Sequence, residues 1–363
     1  MQICIEKRTE TTLASLFLTC RLPMQPEMPW NRRQTMITLK DIAAIANVST
    51  STASRALNDD PRISPEQRLR IRRIAEEQNY KKHKLRKPDD MWKDAGIIVP
   101  EINSGYYSNL VHIASDQFAR QHYSVLLRLS GFDRDTLIRH IFGFGKADIR
   151  CVLIVADDAE QITEEVYQAL RQTRIPAMFI TTQYNPHMDY DSIYVDETRG
   201  IRAGVEYLTG KGYTRIGFIG EEMTRGRLKA FRRVMQEIGN PVIEDFIKTG
   251  TFRAEEGGYH CMKQLLNRPE RPDAIFAGYD QMAVGALKAI DEAGLQVPDD
   301  IGIMGFDNII MSAYIHKGLT TIENPLEDMI SIAVRVLMNR MQNGDAVPQQ
   351  IALKPELVIR ETT

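Results

Sequence analysis

From Ala95 onward, short apolar runs alternate with stretches of helical period. The runs are Gly96–Val99, Val125–Leu129, Val152–Val155, Ala177–Ile180, Ile193–Val195, Ile216–Ile219, Ala274–Ala277 and Ile301–Gly305. Each is short and apolar on both faces, the pattern of strands buried in parallel sheets. Between most of them the apolar positions recur at helical spacing: Asn109–His122, Glu164–Thr173, Thr198–Lys211, Arg227–Ile238, Glu255–Leu266 and Gln281–Ala293. This alternation predicts βαβ units and an α/β fold with helices on both sheet faces. About 270 residues exceed what one core comfortably fills, so two lobes are expected. Lys354–Thr363 reads as a last strand with no leucine heptad after it, which favours a dimer over a tetramer.

A different pattern precedes Ala95. Thr38 can cap a helix, with Asp41 three residues on, and Leu39, Ile42, Ala43 and Ala46 form one apolar face. Asn47 and Val48 break the period, and Ser49 can cap a second helix over Thr50–Leu57 that is dotted with Thr, Ser and Arg. Two short helices across a tight turn predict a helix-turn-helix, whose second helix presents small hydroxyls and Arg to a DNA groove. Asn58-Asp59-Asp60-Pro61 is turn chemistry. Ser64-Pro65-Glu66-Gln67 then starts a third helix running to about Gln78, with Leu69 and Ile74 toward the first two.

Charge sharpens this division. The chain carries −2 overall, but residues 36–88 balance at +6, residues 1–35 at +2 and residues 89–363 at −10. A basic module on an acidic body suits a DNA reader. No apolar run approaches the roughly 18 residues of a membrane span. Cys4, Cys20, Cys151 and Cys261 lie far apart without metal-ligand spacing, which points to a reducing cytoplasm and to neither zinc nor disulfides. The chain has no G-x-G-x-x-G, P-loop, G-x-S-x-G or H-E-x-x-H, so neither enzyme nor cofactor is expected. Residues 1–35 have no signal-peptide pattern. They read as a disordered extension or a mis-assigned start, Met36 being the natural beginning.

The residues Thr38, Leu39, Asp41, Val48, Ser49, Thr52, Ser54, Arg55 and Asn58 resemble the headpiece pattern T-L-x-D-[IV]-A-x-x-A-x-V-S-x-x-T-[VA]-S-R-x-[IVL]-N of the lactose/galactose repressor family. Further on, Gly210–Gly220, Arg227–Phe231, Tyr279–Ala283, Gly305-Phe306-Asp307 and Leu319–Ile322 are similar to motifs of that family's sugar-binding core; residues 95–190 match more loosely. The N-D-D-P turn and basic Y-K…R-K stretch look most like the galactose and β-galactoside branch. In many members of the family the linker forms a hinge helix with a minor-groove leucine. Here Lys84-Leu85-Arg86-Lys87-Pro88 stands instead, and Pro88 would end such a helix.

The resemblance implies an all-α helix-turn-helix headpiece (residues 36–80) and a basic hinge (81–94). A two-lobed, periplasmic-binding-protein-like domain of parallel sheets flanked by helices (95–363) follows. Its first lobe would take about 95–192 and 326–353, its second about 195–322 and 354–363. The implied function is a sequence-specific repressor of a carbohydrate operon, a homodimer on double-stranded operator DNA that answers to a sugar-like effector between the lobes. Thr50, Ser51 and Arg55 would read bases; Thr38, Ser49, Thr52, Ser54, Asn58, Lys84 and Arg86 would hold the backbone. For the effector it implies Asp307 and Asn324, a forked pair from Arg227, rings from Tyr106 and Tyr107, and Asp158. Tyr279 stands where the family carries Asn and would stack on a glycoside. Three rivals remain: a solute receptor, an α/β sugar-processing enzyme, and a nucleoid-type DNA binder.

Overall fold

Three short helices make up the start of what a computed structural model describes, residues 39–57, 60–78, 92–156, 161–344 and 347–363. The chain divides into two units, Met1–Asp89 and Asp90–Thr363. In the first, α1 (Leu39–Ile45) and α2 (Thr50–Leu57) are followed by α3 (Pro65–Glu77). Asn47 takes a left-handed φ of +50°, which Asn tolerates better than most residues. The Val48 N–H closes that turn on the Ala43 carbonyl at 3.0 Å. Ser49 caps α2 by accepting from the Thr52 N–H at 3.1 Å, and Ser64 accepts from the Gln67 N–H at 3.3 Å above α3.

Ile42, Ala46, Ala56, Ile71 and Ala75 form the small core of this unit, with Val48, Leu57, Ile63 and Ile74 against it. Ile74 faces inward as expected, but Leu69 is 68% exposed. At about 100° per residue, Leu69 lies on the side of α3 opposite Ile71 and Ala75.

The second unit opens with β1 (Lys93–Val99), α4 (Gly105–Arg120), β2 (Tyr123–Leu129), α5 (Arg134–Lys146), β3 (Val152–Val155), α6 (Glu164–Thr173), β4 (Ala177–Thr181) and β5 (Asp191–Val195). It continues with α7 (Glu197–Gly210), β6 (Ile216–Glu221), α8 (Arg225–Glu237), β7 (Ile247–Gly250), α9 (Ala254–Leu266), β8 (Ala274–Ala277), α10 (Asp280–Glu292) and β9 (Gly302–Asp307). The last elements are β10 (Thr320–Glu323), α11 (Leu326–Asn343), β11 (Gln350–Leu353) and β12 (Glu356–Val358).

Two six-stranded sheets result, ordered β11-β5-β4-β3-β1-β2 and β12-β10-β9-β8-β6-β7. Every pairing is parallel except β10 with β12. Each sheet has apolar cores on both faces, which is why its strands are apolar throughout rather than alternating. In the second lobe α9 and α10 touch backbone to backbone: a Cβ at Gly258 would collide with the Met282 carbonyl, and one at Gly285 with that of Glu255.

The chain passes between lobes three times: from β5 into α7, from β10 into α11, and from β11 into β12. All three passages lie on one side, because β5 and β11 end the first sheet as β10 and β12 end the second. β2 and β7 lie at the far edges. Rotation about these passages would move the far edges most.

Candidate functional site

Parallel strands all deliver their C-terminal ends to one edge, and ligands of open α/β sheets bind there. Along that edge the second lobe presents Asn324 after β10, Asp307 at the end of β9, Gly278 and Tyr279 after β8, Glu221 closing β6 and Arg253 after β7.

Arg227 ties the inner part together. Its Nε and Nη2 donate to Glu197 Oε1 at 2.8 and 2.7 Å. Nη1 donates to the Gly278 carbonyl at 2.7 Å, and Nη2 also reaches Asp307 Oδ1 at 3.1 Å. The guanidinium lies 3.9 Å from the centroid of the Phe306 ring, a stacked cation–π contact. Burial opposes its charge, but Asp307 and Glu197 outweigh that and hold it protonated above the usual range. The fork expected to face a ligand is thus engaged within the chain, Nε and Nη2 on carboxylates and Nη1 on a backbone carbonyl.

Asp307 Oδ1 also accepts from Asn324 Nδ2 at 2.9 Å. Burial pushes the Asp307 carboxyl up to about 6 despite Arg227. Asn324 is itself buried, and its side-chain oxygen has no partner. A buried acceptor left unbonded costs about 1–3 kcal/mol, so it invites a donor. Asp307 and Asn308 hold left-handed φ values of +104° and +49°, uncommon for residues with a Cβ.

Asp280, fully buried, fixes that strained turn. Its carboxylate accepts from the Ile309 N–H at 2.9 Å, Ser312 Oγ at 2.6 Å and Thr321 Oγ1 at 2.5 Å. Burial raises its carboxyl to about 7.

The outer part is built around Glu221. Its Oε1 accepts from the Tyr279 hydroxyl at 2.8 Å and from Arg253 Nε at 3.0 Å. The same hydroxyl accepts from the Ala254 N–H at 2.8 Å. Tyr279 is half-buried with its phenol engaged, and burial pushes that phenol upward. From the first lobe, Tyr106 is half-buried and packs edge-to-face on Tyr107 at 5.4 Å. Tyr107 lies inside the first core and meets Phe132, so its ring supports Tyr106 rather than facing outward.

In the headpiece Ser49, Thr50, Ser51 and Arg55 are exposed, while Thr52 and Ser54 are half-buried. Ser49 Oγ lies 2.8 Å from both Ser51 Oγ and Thr52 Oγ1. Thr38, Asn58, Lys84, Arg86 and Asp158 lie outside the described residues, as do residues 1–35 and most of 81–94. Sequence reasoning gave no site role to Glu197, Asp280, Glu221, Arg253 or Glu101, although Asp280 stands in a quoted motif. Four of these stand within three residues of an apolar strand's end, a signal that was available. Among the described residues no cluster of His, Cys, Asp or Glu has the makings of a metal site, and no helix is long and apolar enough to cross a membrane.

Known proteins share both units. Residues 38–83 match the family described as bacterial regulatory proteins, lacI family, and residues 205–363 match a periplasmic binding protein-like domain. The HTH-type transcriptional repressor PurR of Mannheimia succiniciproducens is 29% identical over 334 residues, covering 90% of this chain and 98% of that protein. The ribose operon repressor of Escherichia coli K12 is 30% identical over 332 residues, covering 90% and 99%. Among solved structures, the lac repressor bound to ONPG matches with a TM-score of 0.68 at 25% identity, covering 90% and 99%. A complex of the regulator CelR with cellobiose matches at 0.65 and 24%, covering 90% and 100%. Headpiece, lobed domain and near full-length likeness to these repressors agree: the chain belongs to the lacI family of DNA-binding bacterial transcriptional regulators.

Proposed function

We propose that the chain is a repressor of a carbohydrate-utilisation operon, a homodimer acting in the cytoplasm without catalysing a reaction. Its effector is a small, hydroxyl-bearing, sugar-like molecule held between the lobes. One observation carries the effector reading: the unpartnered, buried oxygen of Asn324 beside the Asp307 carboxylate. An acceptor next to a carboxylate suits a ligand that donates, as adjacent sugar hydroxyls do. Arg227 serves by holding Asp307 in place, and Tyr106 supplies a ring face. Tyr279, its hydroxyl engaged by Glu221, borders the site.

Thr50, Ser51 and Arg55, exposed on α2, read base edges, and Ser49, Thr52 and Ser54 hold the backbone. Thr38, Asn58, Lys84, Arg86 and Asp158 keep the roles that the family resemblance implies.

A thermal-shift titration of the full chain against sugars, sugar phosphates and purines tests the effector reading. A rise in midpoint with a neutral sugar, lost in Asn324→Leu, is expected; a rise with purines alone would replace the sugar by a base. For the DNA role, duplexes selected from a random pool should bind wild type and lose about 1–3 kcal/mol with Arg55→Ala. Unchanged affinity in that variant would remove α2 from sequence reading.

A further inference from the structure

Arg253 reaches from the second lobe into the first. Its Nη1 donates to Glu101 Oε2 at 3.1 Å, beyond β1. Its guanidinium lies 4.7 Å from the centroid of Phe132, in the loop after β2. On its own side Nε is held at 3.0 Å by Glu221, whose side chain is 4% exposed. One planar cation thus joins a buried carboxylate of one lobe to a carboxylate and a ring of the other. That use of the fork and the face together is one that Lys cannot reproduce.

The position of this contact matters as much as its chemistry. Glu101 and Phe132 follow β1 and β2, Glu221 ends β6 and Arg253 follows β7. β2 and β7 are the edge strands opposite the three interlobe passages, and β1 and β6 lie next to them. The contact therefore closes the open side of the cleft, where a hinge motion has its largest displacement. Backbone is committed to it on both lobes: Phe132 has a φ of +60° and Ala254, directly after Arg253, a φ of +52°. The Tyr279 hydroxyl holds the Ala254 N–H in that conformation at 2.8 Å. Strained non-glycine residues on the two sides of one contact point to a role beyond packing. A second touch lies further in, where a Cβ on Gly105 would come within 3.2 Å of Ile309.

We infer that Arg253 is a positioning residue for sensing, a latch across the cleft mouth that sets how far the lobes close. This rests on the reading of the lobed domain as an effector sensor. A contact supplied by the chain raises the population of closed lobes, so an effector that favours closure needs to supply less of the closing free energy.

The test is a distance between lobes in the full chain. Spin labels go on cysteines placed at Lys146 and Gln264, both exposed, with Cys4 and Cys20 changed to Ser; Cys151 and Cys261 are buried. In Arg253→Gln and in Glu101→Gln the distance distribution shifts to longer values, beyond the wild-type width. Arg253→Lys, which keeps the charge but loses the fork and the stacking plane, falls between. Either Gln variant at the wild-type distance overturns the latch. If Arg253→Gln does not fold, Glu101→Gln decides alone, since it leaves the Arg253–Glu221 pair intact. The distance is read without DNA or effector. A failed latch therefore leaves the proposed repressor function standing, and a failure to bind DNA or sugar leaves the latch measurement valid.

Discussion

Two guanidiniums face the same cleft, and each is bracketed by two carboxylates, yet they are built differently. Arg227 lies beside the interlobe passages. Its side chain is 13% exposed, and its partners Glu197 and Asp307 are at 15% and 10%. Arg253 lies at the mouth with its side chain 38% exposed and one of its carboxylates in the other lobe. Removing a partner from a buried charge group leaves an uncompensated charge, whereas a half-exposed pair is relaxed by water. The inner cluster is therefore a fixture, and the Arg253–Glu101 arm of the outer one is adjustable. A sensor needs both, a rigid place to hold a ligand and a contact weak enough to open.

The largest expected effect breaks the fixture. Arg227→Met leaves Glu197 and Asp307 facing each other without a cation, and should cost about 3–5 kcal/mol of lobe stability by urea unfolding. A loss as small as that of Glu101→Gln would erase the distinction between the clusters.

Next comes pH. Burial raises the Asp280 and Asp307 carboxyls to about 7 and about 6 from an ordinary 3.8, so both bind protons more tightly folded than unfolded. Their stabilising contribution is complete below the ordinary value and is lost as pH rises through about 6 to 7. Asp280→Asn should flatten the fall in stability between about pH 4 and about pH 7; an unchanged slope would show that Asp280 is ionised throughout.

Tyr279→Phe removes the phenol that serves both Glu221 and the Ala254 N–H. A loss of about 1 kcal/mol is expected, together with a longer interlobe distance, since the strained turn before α9 loses its tie. The smallest stability effect belongs to Glu101→Gln, below about 1 kcal/mol, since it breaks the half-exposed pair and leaves the buried Glu221 its cation, although it lengthens the interlobe distance. A large loss there would make the Arg253–Glu101 contact structural rather than adjustable.

Much of the fold was legible in the sequence. Eight apolar runs foretold eight of the strands because parallel strands buried on both faces must be apolar, and six of the helices followed from their period. β7 escaped because Ile247-Lys248-Thr249-Gly250 sits at a sheet edge and carries one strongly apolar residue. α5 escaped because Gly143 and Gly145 interrupt a helix whose buried face is only Leu137, Ile141 and Phe144. In the cleft, Asp307 and Asn324 were visible through family motifs. The partnerships were not: Arg227 meets Glu197 and Arg253 meets Glu101 only because separate strands end at one edge, across 30 and 152 residues of chain. Spacing along a sequence carries no record of such pairs. The intrachain partners of the Arg227 fork were illegible for that reason.

The path by which the chain visits the lobes bears on how the protein is made. The first sheet receives its last strand, β11, at residues 350–353, and the second receives β12 at 356–358. A ribosome releasing this chain from its N-terminus must therefore present two sheets with open edges, β5 on one and β10 on the other, until residues 350–358 emerge. Unpaired edges are templates for pairing with other chains. The segment after α11 thus acts as a seal on both halves at once. Translation that stalls within it would leave two adhesive surfaces on one nascent molecule.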